Sequence, residues 1–293
     1  PSWGQTAEAA WGGVGEPGGQ GILTRPFVAG GFTWTGWDYK GEPTPYGWPD
    51  VNSHFGTLDI AGFEKDLFYW YKAHFPAYLP GTGMVHLLPH WNWAAPASAS
   101  ASSSANLAPC AGRCSVTAGG ALGVDVWAYS NGAMVELFVN GKSAGASSPV
   151  AGNLSHFEWP NVPYVAGEIV AVAYDAAGRQ IATQRVTTTG AAAALRLSLK
   201  DGVGNSTADG HGGGLVAGCN DVALVRVEVV DAAGRVVPTA SDVVSLSVTE
   251  RGVTRSPSAV AATATHRGSP LTRAPRAPPS MGCCSVSSAR PTR

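Results

Sequence analysis

The sequence predicts an α/β segment followed by all-β sandwich modules and a disordered tail. An apolar run at residues 27–32, a long aromatic loop and a helical period at 63–75 follow one another, as in one βα step of a parallel α/β fold. From about residue 82 the chain changes to short apolar runs with turn signals roughly every 8 to 12 residues, which is typical of an antiparallel sandwich. From residue 251 onward Pro, Arg, Ser, Thr and Ala dominate without any period, which predicts disorder.

The composition argues against two classes of partner. Charged residues make up 13% of the chain and the formal net charge is -1, so no nucleic acid partner is expected. No apolar run approaches the roughly 20 residues that cross a bilayer, so no membrane partner is expected either. The chain begins at Pro1 in a polar, Gly-rich segment, which leaves its localisation open, and the sequence does not indicate an oligomeric state.

The first predicted elements are a short helix at 6–11, a strand at 27–32 and a helix at 63–75. The strand follows Pro26 and has the length and flanking residues of a buried strand. The helix carries one apolar face and is ended by Pro76. A strand with so little polar character needs parallel neighbours, and none precedes it, so we expect that neighbouring strands are missing from this sequence.

The loop after the predicted strand combines aromatic rings with charged side chains. Flat rings cover the C–H face of a pyranose while charged acceptors hold its hydroxyl groups, so the loop predicts a sugar site. The alternative is that the rings only pack the loop onto a core, with Asp38 and Glu42 in salt bridges. The residues concerned are Trp34, Trp37, Tyr39, Tyr46 and Trp48, interleaved with Asp38, Lys40, Glu42 and Asp50.

The all-β part divides into two modules at 79–190 and 191–250. Asn140-Gly141 is a strong hairpin signal in the first module, which a flexible, Ala- and Ser-rich insertion at 94–120 interrupts. The second module holds too few strands for two sheets. The predicted strands are 84–89, 123–129, 134–139, 162–164, 168–174 and 180–186 in the first module, and 194–199, 221–230, 236–238 and 243–248 in the second.

A five-residue sequence, Asp-Ala-Ala-Gly-Arg, occurs at both 175–179 and 231–235. Both copies follow a predicted strand at a position where a turn is expected. This weak internal repeat suggests that the two modules are related.

Cysteine and histidine spacing predicts no metal site, and no cofactor is expected. Cys110 and Cys114 could form a local disulfide, but their spacing favours unpaired thiols. The adjacent pair Cys283-Cys284 has the wrong geometry for a bridge. Gly30-Gly31 lacks the spaced glycines of a dinucleotide loop.

Two long motifs resemble the β-galactosidases of glycoside hydrolase family 2. They are FTWTGWDYKGEPTPYGWP and, shortly after it, NSHFGTLDIAGFEKDLFYWY. The resemblance continues at residues 87–93 and 135–143, which look like the immunoglobulin-like domain that follows the barrel in one branch of the family. Residues 221–237 then look like the start of the next accessory β-domain.

The resemblance implies that residues 1–78 are the end of a (β/α)8 barrel, with its eighth strand at 27–34 and its last helix at 63–75. Trp34 would then lie at the C-terminal end of a barrel strand, where barrel enzymes place their chemistry, and would form a floor for the galactosyl unit. Further residues are implied to line or brace the same wall of the site, namely Asp38, Tyr39, Glu42, Asn52, His54 and Lys65.

The resemblance also implies a retaining mechanism in which one glutamate is the general acid and a second is the nucleophile. Neither glutamate motif occurs in this sequence, so the chain is expected to contribute no catalytic residue and to be inactive alone. The predicted function is part of an exo-β-galactosidase whose partner is a carbohydrate substrate. The alternative is a non-catalytic carbohydrate-binding or scaffolding protein built from the sandwich modules.

Overall fold

The computed structural model describes eleven parts of the chain, which form two compact units. The units comprise Pro1–Thr188 and Thr189–Arg293. The described residues are 7, 10–11, 21–43, 46–75, 82–93, 114–116, 122–149, 155–199, 225–245, 248–250 and 253–255. Most of the predicted first helix, insertion and tail therefore lies outside the described residues.

A two-sheet β-sandwich forms the larger part of the first unit, which confirms the all-β prediction. One sheet is built on β3, which pairs antiparallel with β1, β2 and β6. The other has the strand order β5-β4-β7-β8, with all neighbours antiparallel. The strands are β1 (Val85–Leu88), β2 (Cys114–Val116), β3 (Leu122–Ser130), β4 (Met134–Val139), β5 (Lys142–Ser147), β6 (Phe157–Pro163), β7 (Glu168–Tyr174) and β8 (Gln180–Thr187).

The core of the sandwich follows from alternation along its strands. In β7, Ile169, Ala171 and Ala173 are buried while the residues between them are half-buried, because successive strand side chains point to opposite faces. The opposing sheet contributes Val124, Val126 and Ala128 from β3 and Phe157 and Trp159 from β6, all in the same cluster.

The predicted Asn140-Gly141 hairpin is confirmed between β4 and β5. Both residues have positive φ angles, 48° and 78°, as a two-residue turn of the primed type requires. The Asn140 side chain also accepts a hydrogen bond from the Glu168 backbone N–H at 2.8 Å, which ties the turn to β7.

The α-helix α1 (Asp66–His74) confirms the predicted helix and packs on the sandwich. Trp70 and Ala73 on α1 are buried in a second core with sheet residues of β1 and β3. His74 at its end is half-buried, and the desolvation of its imidazole lowers the pKa to about 4. The other residues of this second core include Met84, which precedes β1, Leu88 of β1, and Trp127 and Tyr129 of β3.

The predicted strand at 27–32 is not observed, and the described part of residues 1–78 contains no strand. Phe27 is 82% exposed and Phe32 is fully exposed. The Val28 backbone N–H bonds locally to the Arg25 carbonyl at 3.0 Å rather than to a neighbouring strand. A strand exists only with a hydrogen-bonded partner, so an apolar run alone does not produce one.

The second unit contains two hairpin-like pairs. One pairs β9 (Ala194–Leu199) with β10 (Val225–Val230), and the other pairs β11 (Val248–Glu250) with β12 (Val253–Arg255). Strand β12 corrects the prediction of disorder from residue 251, because Val253 and Thr254 are β-branched and favour a strand once β11 is beside them. Of the predicted strands at 236–238 and 243–248, the structure shows one bridge from Val236 to Val230 and, at 248, the first residue of β11.

Cys114 differs from the prediction because it is disulfide-bonded. It lies on β2, within the stretch predicted to be a flexible insertion, and β2 pairs with β3. The other four cysteines lie outside the described residues. In the parts of the chain that the structure describes, no helix has the length and apolarity needed to cross a membrane.

Candidate functional site

The aromatic loop is braced by the buried carboxylate of Asp38. Lys65 Nζ donates to both oxygens of Asp38, at 2.8 and 3.0 Å, and the Gly56 backbone N–H donates to Oδ1 at 2.7 Å. The Asp38 side chain is only 8% exposed. Lys65 also donates to the His54 carbonyl at 3.0 Å. The Asp38–Lys65 ion pair and its hydrogen bonds therefore join residue 38, residues 54–56 and residue 65.

Backbone pairing runs through the same loop and brings its two halves side by side. Trp37 and Leu58 form a parallel bridge, and Lys40 and Asn52 form an antiparallel bridge. Gly56 is required between them, because a Cβ there would lie 2.3 Å from the Asp38 backbone nitrogen. The loop therefore has a defined backbone although it contains no regular strand.

Ser53 links the Asp38 brace to the aromatic residues. Its hydroxyl accepts from the Tyr39 backbone N–H at 3.0 Å and donates to Asp38 Oδ1 at 3.4 Å. Its own backbone N–H donates to the Tyr39 carbonyl at 2.7 Å. Ser53 is 1% exposed, so these bonds form in a site closed to water.

A chain of hydrogen bonds joins Trp34, Tyr39 and Glu42. The Trp34 indole N–H donates to the Tyr39 hydroxyl at 3.0 Å, and the Tyr39 hydroxyl donates to Glu42 Oε2. The hydrogen bond to Glu42 is the main reason that the pKa of Tyr39 lies above its ordinary value. The indole ring meets the Tyr39 ring edge-on at 6.1 Å and is 76% exposed.

A third group surrounds Asp50. His54 Nε2 lies 2.8 Å from Asp50 Oδ2, and the Asn52 backbone N–H donates to Asp50 Oδ1 at 3.2 Å. Burial raises the pKa of Asp50, but the hydrogen bonds from Asn52 and His54 outweigh it and leave the pKa below its ordinary value. Asn52 Oδ1 is buried and has no hydrogen-bond partner among the described residues.

The predicted site residues therefore fall into three groups on one loop. Trp34, Tyr39 and Glu42 form the first, Asp38 and Lys65 the second, and Asn52 and His54 the third. Sequence reasoning named Asp50 as a charged residue of the loop but missed Ser53 and Gly56. The only sequence signal of these two residues was their position within the second long motif.

The outer aromatic residues of the loop do not pack onto a core, as the alternative interpretation of the loop required. Trp37 is 57%, Tyr46 52% and Trp48 84% exposed. Trp91, which lies outside the loop, is fully buried and donates to the Val165 carbonyl at 3.0 Å. The loop thus presents several aromatic faces to solvent while its polar residues bond beneath them.

Comparisons with known proteins agree on one kind of enzyme. Residues 123–182 match a family described as "Domain of unknown function (DUF4982)". Beta-galactosidase BoGH2A from Bacteroides ovatus is 34% identical over 249 residues, which cover 85% of this chain and 24% of that protein. A putative beta-glucuronidase from Formosa agariphila is 36% identical over 152 residues, which cover 51% of this chain and 12% of that protein.

A solved structure shows a similar fold. A beta-glycosidase from Bacteroides vulgatus matches with a TM-score of 0.54 and 26% identity, over 75% of this chain and 23% of that one. This chain spans about a quarter or less of the length of each of these relatives.

Proposed function

This chain belongs to glycoside hydrolase family 2, and from that membership we propose that it forms one wall of the sugar-binding site of a longer, retaining exo-β-galactosidase. The proposed enzyme removes terminal β-galactosyl units by double displacement. Residues 1–78 are the proposed end of its (β/α)8 barrel, and 79–190 and 191–250 are proposed immunoglobulin-like modules.

The observation that carries this proposal is the exposed Trp34 ring on a loop whose polar residues hold it in place. A flat apolar ring covers the C–H face of a pyranose, and neighbouring oxygen acceptors satisfy its hydroxyl groups. Trp34 is 76% exposed, and its indole N–H bonds to Tyr39 at 3.0 Å. The side chain can therefore receive a ring without first leaving a core.

The role proposed for this chain is binding rather than proton transfer. In a retaining glycosidase one carboxyl group protonates the leaving oxygen and a second, about 5 to 5.5 Å away, forms the glycosyl intermediate. The Asp38 carboxylate is held by Lys65, and that of Glu42 accepts from Tyr39. Both carboxylates are already bonded to side chains of the loop, so the catalytic pair is proposed to come from elsewhere in the longer enzyme.

The pairing of Lys65 and His54 favours a neutral sugar over a glucuronide. A glucuronate carboxylate needs a cation that is not already paired. Lys65 is paired with Asp38 at 2.8 Å, and His54 with Asp50 at 2.8 Å. Because Lys65 and His54 are already bonded to carboxylates of the loop, neither side chain is open to a sugar carboxylate. Galactosides are therefore the proposed substrates.

The test compares this chain with the longer enzyme on chromogenic β-galactosides and β-glucuronides. The longer enzyme should hydrolyse the galactoside with retention, and the chain alone should give no turnover. Trp34→Ala in the longer enzyme should lower kcat/KM about tenfold or more, because the lost aromatic contact stabilises the bound sugar. Hydrolysis of the glucuronide alone, or full activity of Trp34→Ala, would overturn the proposal.

A further inference from the structure

We infer that Tyr39 and Glu42 act on the sugar site through Trp34, by fixing the plane of its indole ring, and do not themselves bind the sugar. Tyr39 is thus a positioning residue, and Glu42 determines the direction of the Tyr39 hydroxyl. The consequence for catalysis rests on the proposed function, whereas the geometry can be tested without it.

Trp34 has little packing to hold its ring. The residue is 76% exposed, and two side-chain torsions would let the indole swing unless something stops them. Tyr39 makes two contacts that can do so: the 3.0 Å hydrogen bond to the indole nitrogen and the edge-on ring contact at 6.1 Å, with an interplanar angle of 85°. The indole nitrogen lies off the axes of both torsions, so a hydrogen bond to it resists rotation about each of them.

Tyr39 is itself well anchored, so it can serve as a fixed point. Its backbone N–H and carbonyl both bond to Ser53, at 3.0 and 2.7 Å, and Ser53 is fully buried. Its ring meets the Phe55 ring edge-on at 5.7 Å. The buried Ser53 therefore fixes the backbone of Tyr39, and the Tyr39 hydroxyl fixes the exposed indole of Trp34.

The chemistry of the three groups leaves only one arrangement of hydrogens. The indole can only donate and an ionised Glu42 can only accept, so the Tyr39 hydroxyl must donate to Glu42 and accept from Trp34. Glu42 thereby turns a lone pair of the hydroxyl toward the indole. The single hydroxyl hydrogen of Tyr39 is used in this way, so it is not available to a sugar oxygen.

The geometric test uses nuclear magnetic resonance of the indole N–H groups in this chain. Trp34→Phe identifies the Trp34 signal by its loss. Tyr39→Phe should speed solvent exchange of that indole N–H about fivefold, as expected for one lost hydrogen bond. Glu42→Ala should act in the same direction, and Glu42→Gln should recover most of the protection, because its amide oxygen still accepts. Unchanged exchange in Tyr39→Phe would overturn the inference.

The kinetic test is a double-mutant cycle in the longer enzyme. Tyr39→Phe should raise KM about fivefold with little change in kcat. The reason is that a misoriented Trp34 ring weakens sugar binding equally in the ground state and in the transition state. In a Trp34→Phe background, which keeps a ring but removes the N–H, Tyr39→Phe should have an effect of less than about twofold. Tyr46→Phe, which removes a hydroxyl from another exposed tyrosine of the loop, is the matched control.

The outcomes separate this inference from the proposed function. A Tyr39→Phe effect that persists in full in the Trp34→Phe background would mean that Tyr39 contacts the sugar, and would overturn the inference. An effect no larger than that of Tyr46→Phe would overturn it too. If the longer enzyme hydrolysed no β-glycoside, the proposed function would fail, and the exchange measurement would still decide whether Tyr39 holds the indole.

Discussion

Asp38 is the side chain on which the order of the aromatic loop depends. A buried carboxylate lowers stability unless a cation and hydrogen-bond donors surround it. Asp38 has Lys65 as its cation, and the Gly56 backbone N–H and the Ser53 hydroxyl as donors. The residue was expected to line or brace the wall of a sugar site; the structure shows its carboxylate bonded within the loop, and its place in a sugar site stays a prediction.

Replacing Lys65 should therefore destabilise the chain more than replacing an exposed lysine. Lys65→Ala leaves the Asp38 charge buried without its cation, and should lower the free energy of unfolding by about 3 kcal/mol in urea titrations at neutral pH. Lys40→Ala is the control, because Lys40 lies on the same loop and is exposed. If the two variants had equal free energies of unfolding, the Asp38–Lys65 ion pair would not contribute to the stability of the chain.

Sequence reasoning could find the residues of the site but not their pairing. Asp38 and Lys65 are 27 positions apart, and they share no periodic element that would place them together. Ser53 is a small polar residue without a chemical signature, yet it bonds to both Asp38 and Tyr39. Such contacts depend on how the loop folds back on itself, which a local sequence pattern does not predict.

At the scale of elements, the two Asp-Ala-Ala-Gly-Arg segments fold into the same turn. In each, Asp Oδ1 accepts from backbone N–H groups two and four residues later, and the glycine has a φ of 76°. The arginine returns to its aspartate, at 2.8 Å in one copy and 2.7 Å in the other. The sequence repeat thus reflects a repeated structure.

The two aspartates should nevertheless differ in importance. Asp231 also accepts from the Gly190 backbone N–H at 2.9 Å, and its side chain is 2% exposed against 24% for Asp175. Asp231→Ala should therefore reduce amide protection in its turn more than Asp175→Ala does in its own, as measured by hydrogen exchange and mass spectrometry. Asp231→Asn, which keeps an acceptor but loses the ion pair, should be intermediate.

Acid should weaken the same two turns. The hydrogen bond from Gly190 is the main cause that lowers the pKa of Asp231, and that from the Arg179 backbone lowers the pKa of Asp175. A lowered pKa in the folded chain means that the stabilisation is present above the ordinary value of 3.8 and is lost as the pH falls below it. Protection that stayed constant as the pH fell below this value would contradict this reasoning.

Strands were predictable where turn residues bound a short apolar run. The predicted bounds of β4, β7 and β9 match the structure, because each is a short run that begins and ends beside turn residues. The run at 27–32 has no alternation and could become a strand only beside parallel neighbours. The bounds of β2 and β12 were missed because three residues are too few to show a period.

At the scale of the whole molecule, one surface is more apolar than an isolated soluble chain needs. Between residues 27 and 48 the exposed fractions of the aromatic side chains are high, and exposed apolar surface of this kind marks a contact face. The exposed residues are Phe27, Phe32, Trp34, Trp37, Tyr46 and Trp48. In the proposed longer enzyme, the rest of the barrel would cover the other apolar residues of this stretch and leave the Trp34 ring open to the sugar.

The chain on its own should therefore self-associate through this surface. Replacing Phe27 and Phe32 together by serine should raise the monomeric fraction at micromolar concentration, measured by light scattering after size exclusion. Val243→Ser is the control, because Val243 is 96% exposed and belongs to the other unit. An equal mass distribution for the unmodified chain and both variants would show that the aromatic surface does not mediate self-association.

The core shared by α1 and the sandwich has a consequence for how such genes can recombine. Trp70 of α1 and Trp127 of β3 lie in one buried cluster, so a crossover between residues 75 and 82 would expose both rings. A sandwich exchanged between two enzymes should be inherited intact only when the crossover falls before α1. The evolutionary unit would then be the helix together with the β-domain on which it packs.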